Sequence, residues 1–356
     1  MAFRNSLSLL LLVLTGGMEK YKRFTDAATG INPFVPLPRP SSVVATTVAL
    51  VVAPLATLIG LLFLAVQVLL DELFVVFHAM FLGPVFGPLL YAPLTALCTR
   101  VCLLCFAHAF LRRHCYPPRA AVGRQDEPTA PAAGDVVFVN CQSALDALTA
   151  QAAFPARPLL FAAPHFATAD GPHVGVWSTR SKVAAMAWIL RRAAPPAVVK
   201  IDDAKVDFTA TQAAAKKAGL VVAAFAEGAT SNGKGVLRLP QVLCAGAVHV
   251  APATYANGAH TAPVPGQLGW LRALLRASAN AVFSPTGNRV DVTLLRPSML
   301  PYVPTLHTAE WTAALQGKLC CAPHGVYRGD RKALGASSAL DKPGFLELWD
   351  SYNKAA

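Results

Sequence analysis

Two short stretches carry side chains able to do chemistry together. FAEGATSNGKGVLRL (225–239) sets Glu227 and Gly228 directly after an apolar run, followed by Thr230, Ser231, Gly233, Lys234, Gly235 and Arg238. Glycines let backbone amides approach an anion closely, because no Cβ stands in the way. Lys234 and Arg238 add two cations, and a guanidinium can grip a phosphate with two parallel hydrogen bonds. Glu227 supplies a carboxylate for a hydroxyl, or for orienting the basic groups. A phosphorylated alcohol meets all these needs together; the plainer alternative is a turn whose glycines serve geometry only. The second stretch, NCQSALD (140–146), brings Cys141, Ser143 and Asp146 within seven residues. A thiol with a pKa of about 8.5 is a poor base for an alcohol, whereas its thiolate is a strong nucleophile.

The elements that must position these residues read as an α/β domain. DVVFVN (135–140), PLLFAA (158–163), AVVKI (197–201), GLVVAAFAE (219–227), HVAPATY (249–255) and RVDVTLLRP (289–297) are apolar, β-branched runs that predict strands. SALDALTAQAA, SKVAAMAWILRRA and TATQAAAKKA lie between them as helices, and DKPGFLELWDSYNKAA predicts a terminal helix. Alternating strands and helices predict a mostly parallel sheet covered on both faces. Both chemical stretches follow strands, and sites in such sheets gather at the strands' carboxyl ends.

Composition points to a membrane. Of 356 residues 54% are hydrophobic and only 14% charged, against about a quarter charged in ordinary soluble chains. The net charge of +12 favours anionic partners, but the basic residues are scattered rather than gathered in a stripe, which argues against nucleic acid. Eight cysteines show no pairing framework and read as reduced thiols. Cys98, Cys102, Cys105, His108, His114 and Cys115 fit one helical stripe better than a tetrahedral zinc cage, so no metal site is expected.

Residues 43–70 carry no charge over 28 positions, more than the roughly 20 needed to span a bilayer. Asp71 and Glu72 interrupt the run, which continues apolar to residue 97 past Gly83-Pro84, Gly87-Pro88 and Pro93. A kinked or re-entrant second segment is expected there, with an interfacial helix over 98–113. Basic residues flank the region on both sides, which predicts a hairpin with both flanks cytosolic. The organisation expected is a leader (1–42), a hairpin with its interfacial helix (43–113), a Pro- and Ala-rich linker (114–134) and a catalytic-type domain (135–356). Residues 1–17 have the look of a signal peptide, or are an extension ahead of a start at Met18.

The two stretches also carry a family likeness. FAEGATSNGKGVLRL resembles the FPEGTTSNGKG form of a motif shared by PlsC-type glycerolipid acyltransferases, with Ala226 in place of Pro. NCQSALD resembles their first motif, Asn-His-x-Ser-x-x-Asp, with Cys141 in place of His. Val250-Ala251-Pro252 resembles their late Val-x-Pro motif, in the family's order, and the likeness covers roughly residues 134–300. The leader MEKYKRFTDAATGINPFVPLPRP is similar to the start of a fungal branch acting on lysophosphatidic acid.

The resemblance implies a PlsC-like α/β fold that acylates lysophosphatidic acid or a related lysolipid. Acyl-CoA would be the co-substrate, with no cofactor, and the membrane the setting, at the endoplasmic reticulum or lipid droplets. It casts Cys141 and Asp146 as the catalytic pair. Ser143, Glu227, Gly228, Thr230, Ser231, Lys234 and Arg238 become the substrate-holding set. In the family the Asp fixes the tautomer of a basic imidazole. With Cys141 there instead, three readings stay open. The thiol itself carries the acyl group; another histidine, His165 or His173, is the base; or the domain is catalytically silent and binds lipid or acyl-CoA only.

Overall fold

A computed structural model describes residues 19–35, 43–107, 109–116, 130–166, 174–190, 201, 204–255, 288–295, 308–320 and 332–354. A 3-10 helix (Glu19–Phe24) precedes helix α1 (Val43–Ala79) and helix α2 (Ala92–Ala107), then strand β1 (Ala109–Tyr116). There follow β2 (Val136–Val139), α3 (Asp146–Ala153), β3 (Leu159–Phe166), β4 (Val174–Thr179), α4 (Lys182–Leu190), β5 (Lys205–Asp207), α5 (Thr209–Lys217) and β6 (Val221–Phe225). Further along come β7 (Gly235–Arg238), β8 (Gln241–Leu243), β9 (Val248–Val250), β10 (Ala253–Tyr255), β11 (Asn288–Leu295), α6 (Thr308–Leu319), β12 (Lys332–Ser338) and α7 (Lys342–Lys354), and short helical turns fill Gly83–Phe86, Gly87–Tyr91 and Ala339–Asp341.

The expected mixed α/β architecture is present. A five-stranded sheet has the order β4-β3-β6-β2-β9. Its four strands β3, β6, β2 and β9 run parallel, and β4 returns antiparallel to β3. Strands β2 and β6 are buried along their whole length, as continuous apolar runs in parallel sheets are. Val137, Val139, Phe161 and Phe225 face α3 and α4 on one side of the sheet. Val136, Phe138, Ala162 and Ala224 pack with Phe208, with Ala215 of α5 and with Trp311 and Leu315 of α6 on the other.

Two expectations change in detail. HVAPATY is not one strand. Pro252 has no N–H to give a ladder, and the chain passes there from β9 in the first sheet to β10 in a second sheet of order β1-β11-β10. Residues 98–113 are not one helix. Helix α2 ends at Ala107, and β1 runs parallel to β11 over eight residue pairs, from Ala109 with Asn288 to Tyr116 with Leu295. Asp291 of β11 is fully buried, and a carboxylate there needs partners; His114 Nε2 lies 2.6 Å away and Arg289 Nε 2.7 Å away. AVVKI falls almost wholly outside the described residues, as do residues 1–18, His108, the 117–129 linker and His173.

The apolar region forms a hairpin. Val51–Ala79 and Gly83–Phe106 are long and apolar enough to cross a membrane by length and composition. The two arms run side by side: Cys102 Sγ donates to the Gly60 carbonyl at 3.4 Å, Gln67 Nε2 to Thr99 Oγ1 at 2.5 Å, and Tyr91 Oη to Asp71 Oδ1 at 2.7 Å. One face of the hairpin is welded to the α/β core. Leu64, Cys102, Leu103 and Phe106 join the cluster under α3 and α4. Lys182, fully buried at the start of α4, forms an ion pair with Asp71. Near the tip, the His78 ring lies where a Cβ on Gly219 would sit. The other face is open and apolar, including Leu55, Leu58, Leu62 and Leu69 of α1 and Leu94 and Leu97 of α2; Phe81 at the tip is 91% exposed.

Residues 19–35 are folded onto the domain. Tyr21 and Phe34 are buried in a cluster with Leu237, Leu334, Phe345 and Leu346. The segment thus packs on β7, β12 and α7.

Candidate functional site

The site is built at the carboxyl edge of the five-stranded sheet, where β2 and β6 lie side by side. Just past β2, Asn140 clamps the backbone of Ala253. Its Nδ2 donates to the Ala253 carbonyl at 3.0 Å, and its Oδ1 accepts the Ala253 amide at 2.7 Å. The first motif and the Val-Ala-Pro turn are thereby fastened together.

Asp146 opens α3, where the helix dipole favours a carboxylate. Oδ2 accepts the amides of Gln142 at 2.6 Å and Ser143 at 2.8 Å, and Oδ1 accepts the Tyr255 hydroxyl at 2.5 Å. The carboxylate thus folds its own loop around itself. Ser143 Oγ accepts the Leu145 amide at 3.2 Å and turns the chain into the helix. Burial, and then Asp146, push the Tyr255 hydroxyl well above its ordinary value, so it donates at any physiological pH.

Glu227 stands just past β6. Oε1 accepts the Cys141 amide at 2.8 Å and Oε2 the Leu237 amide at 3.0 Å. The Ser231 amide donates to the Cys141 carbonyl at 2.9 Å. Both backbone polar groups of Cys141 are therefore taken up by the second motif. A carboxylate fixed by two buried amides is held by geometry as much as by charge.

Two glycines explain why the loops come so close. Gly228 has φ +69°, and a Cβ there would lie 3.0 Å from the Phe166 ring. Gly233 has φ +77°, and a Cβ there would lie 2.5 Å from Gln142 Oε1. Their amides turn inward, Gly228 to the Phe225 carbonyl at 3.1 Å and Gly233 to Ser231 Oγ at 3.4 Å. In this conformation neither glycine presents its N–H to an outside anion. Lys234 is exposed and Arg238 half-buried, while Thr230 and Ser231 are buried beneath them.

Cys141 itself is fully buried. Burial first, and then the Asp146 and Glu227 carboxylates, raise its thiol well above the ordinary range, against an opposing pull from Lys342. The thiol is protonated at neutral pH. Lys342, the first residue of α7, is 1% exposed, and its Nζ donates to the Thr230 carbonyl at 3.1 Å and to Thr230 Oγ1. Burial lowers this amine to about 8, against the opposing pull of Cys141 and Glu227.

His165 lies near the end of β3. Strand alternation puts it on the same sheet face as Phe161 and Ala163, the face that also holds Val139 and Cys141. The ring is half-buried, and its Nδ1 is enclosed without a hydrogen-bond partner.

The structure thus gathers Cys141, Ser143, Asp146, Glu227, Gly228, Thr230 and Ser231 at one sheet edge. Lys234 and Arg238 follow on the loop and on β7. Sequence reasoning missed Asn140, Tyr255, Asn232 and Lys342. Asn140 and Asn232 lie inside the quoted motifs and were legible as side chains able to cap backbone groups; Tyr255 ends a strand run. Lys342 had no signal, since it sits on a helix start more than a hundred residues from the loop it grips. Among the described residues, no group of three or more His, Cys, Asp or Glu side chains is set to hold a metal ion. Comparison of the chain with protein-family models, curated proteins and solved structures yields no significant match.

Proposed function

We propose that the protein transfers an acyl group from acyl-CoA to the hydroxyl of lysophosphatidic acid or a related lysolipid at a membrane surface. The observation that carries this reading is the lacing of the first motif to the other two at the sheet's carboxyl edge. Glu227 and Ser231 hold the main chain of Cys141, and Asn140 holds Ala253. Motif resemblance in sequence gains weight when the motif residues bond to one another.

In this reaction the acceptor oxygen bonds to the thioester carbonyl carbon, its proton passes to a base, the C–S bond breaks, and the departing CoA thiolate takes up a proton. A buried, protonated thiol is a poor candidate for the base. His165 is the base of this reading. It is partly exposed, it shares the sheet face of Cys141, and its enclosed, unpaired nitrogen is the kind of orphan that function explains. Lys234 and Arg238 hold the phosphate of the acceptor.

The hairpin supports the membrane setting. Its tip touches the α/β part beside Gly219 and its outward face is apolar, which supports a hairpin that meets lipid from the domain's side without crossing. Endoplasmic reticulum or lipid droplet, with the domain in the cytosol, is the location of this reading.

A second reading has an observation of its own. Position 141 holds no proton acceptor, and both Asp146 oxygens are already engaged; a silent domain that binds lysolipid or acyl-CoA fits this as well. Incubation of the purified full-length protein with radiolabelled acyl-CoA and a panel of lysolipids separates the two. Labelled diacyl product supports the enzyme. No product from any acceptor, together with a melting temperature raised by lysolipid or acyl-CoA, supports the binder.

A further inference from the structure

The loop after Glu227 is gripped at two points by parts of the chain far away in sequence. Lys342 of α7 holds Thr230. Two residues on, Asn232 is 3% exposed and its whole side chain is engaged. Nδ2 donates to the carbonyls of Asn32 and Val35, each at 2.9 Å, and Oδ1 accepts the Lys234 amide at 3.2 Å. The Asn232 amide donates to the Pro33 carbonyl at 2.7 Å. Three hydrogen bonds from Asn232 thus join this loop to the segment ahead of the membrane hairpin.

That segment has the internal order of a fixed element. The Asp26 carboxylate accepts the amides of Ala28 at 3.2 Å and Thr29 at 2.9 Å. Asn32 donates from Nδ2 to the Tyr21 carbonyl at 3.0 Å and accepts the Phe34 amide on Oδ1 at 3.0 Å. Aromatic packing anchors the segment to α7: Phe345 lies 5.3 Å from Tyr21 and 5.5 Å from Phe34, ring centre to ring centre. Phe34 is fully buried. Arg23 adds a 3.4 Å bond to the Gly344 carbonyl.

A loop reading Gly-Ala-Thr-Ser-Asn-Gly-Lys-Gly has many conformations open to it when free. Lys234 lies in this loop two residues past Asn232, and Arg238 ends β7 four residues further on, so what fixes Asn232 fixes where the Lys234 charge stands and where β7 begins. We propose that residues 19–35 are a positioning strap for this loop, acting through Asn232, and that the strap sets how tightly the protein holds a phosphate-bearing acceptor. The inference rests on the reading of Lys234 and Arg238 as the acceptor-phosphate residues. Asn232 is a positioning residue; it acts through Lys234 and Arg238 rather than by touching the acceptor.

The test compares full-length wild type with Asn232→Ala and Phe34→Ala in one detergent. Amide hydrogen exchange is followed across the chain, and acceptor and acyl-CoA KM values are measured separately. Both variants should speed exchange over 228–236 while β2, β3 and β6 keep their protection. The acceptor KM should rise about tenfold or more, as expected when bonds that hold charged groups in place are lost, with acyl-CoA KM within about twofold of wild type. Where Phe34→Ala does not fold, Phe34→Leu keeps the apolar bulk, loses the ring packing and takes its place. Unchanged loop exchange in both variants overturns the strap, and so does an equal rise in both KM values. If wild type turns nothing over, the acyltransferase reading has failed on its own, and glycerol 3-phosphate becomes the probe. It should slow exchange over 228–236 in wild type and not in Asn232→Ala; equal protection in the two proteins overturns the strap.

Discussion

Lys342 offers a test in which two physical effects predict opposite signs. Its amine is buried beside the Glu227 carboxylate and the Cys141 thiol, and its bonds go to Thr230. If attraction to Glu227 dominated, the folded state would bind the proton more tightly than the unfolded chain, and stability would fall as pH rose past 10. Burial dominates instead and brings the amine from 10.5 down to about 8. Between those values the unfolded chain carries a proton that the folded chain has released. Unfolding then takes up a proton, so stability rises with pH across this window. A drop from 10.5 to about 8 corresponds to about 3 kcal/mol. Replacement Lys342→Met removes the titration while keeping most of the volume. At pH 7 the wild type still carries the cost of burying the charged amine, which offsets much of the bonding to Thr230 that the variant loses, so its advantage there should be small, within about 1 kcal/mol. Guanidinium unfolding of both proteins in detergent, followed by tryptophan fluorescence at pH 7, 8, 9 and 10, gives the difference curve. The wild-type advantage should widen by roughly 2–3 kcal/mol over that range. A flat or narrowing difference would refute the burial argument and point to an ion pair with Glu227 as the dominant effect.

Three further outcomes follow from the same geometry. Gly233→Ala and Gly246→Ala both force a side chain onto positive φ, at about 1–2 kcal/mol each, but only Gly233 faces a neighbour, Gln142, while a Cβ on Gly246 meets open space; thermal unfolding should therefore show the larger loss in Gly233→Ala, and equal losses would contradict the close approach of the two loops. Asp146→Asn puts an amide nitrogen or a weakened acceptor against two backbone N–H groups and the Tyr255 hydroxyl, and should cost about 2–4 kcal/mol in denaturant unfolding, against about 1 kcal/mol for Tyr255→Phe; the reverse order would show that the carboxylate does not organise the loop. Glycosylation acceptors inserted near residues 40 and 125 should both stay unmodified in a microsomal assay, and modification of either one alone would break the same-side hairpin.

Much of the sheet was legible because buried parallel strands announce themselves as β-branched runs. VVFV and VVAAF have no polar face to confuse the reading, and the helices between them begin within a few residues of their expected starts. What escaped depends on distant partners. The AFLRRHCY segment mixes arginines with apolar residues at no decisive period, and its neighbour β11 lies almost two hundred residues away. Residues 19–35 look like a polar leader, because Tyr21, Phe24 and Phe34 are too widely spaced to suggest a core without the rings of α7. Asp71 was the one visible clue that the hairpin docks. A carboxylate inside an apolar run demands a cation, and Lys182 is that cation. The site was legible as motifs and not as a network: spacing could nominate Asp146 and Glu227, but not show that their oxygens are spent on backbone amides and on Tyr255.

The most direct measurement is CoA thiol release from acyl-CoA by purified full-length protein in lipid vesicles, with and without lysophosphatidic acid, for wild type, Cys141→Ala and His165→Gln. The account predicts time-linear release that requires the lysolipid. It should survive within a few-fold in Cys141→Ala, and drop by about a hundredfold or more in His165→Gln if the imidazole is the general base. Release that is absent from wild type with every lysolipid would contradict acyl transfer, and release abolished by Cys141→Ala but untouched by His165→Gln would put the chemistry on the thiol.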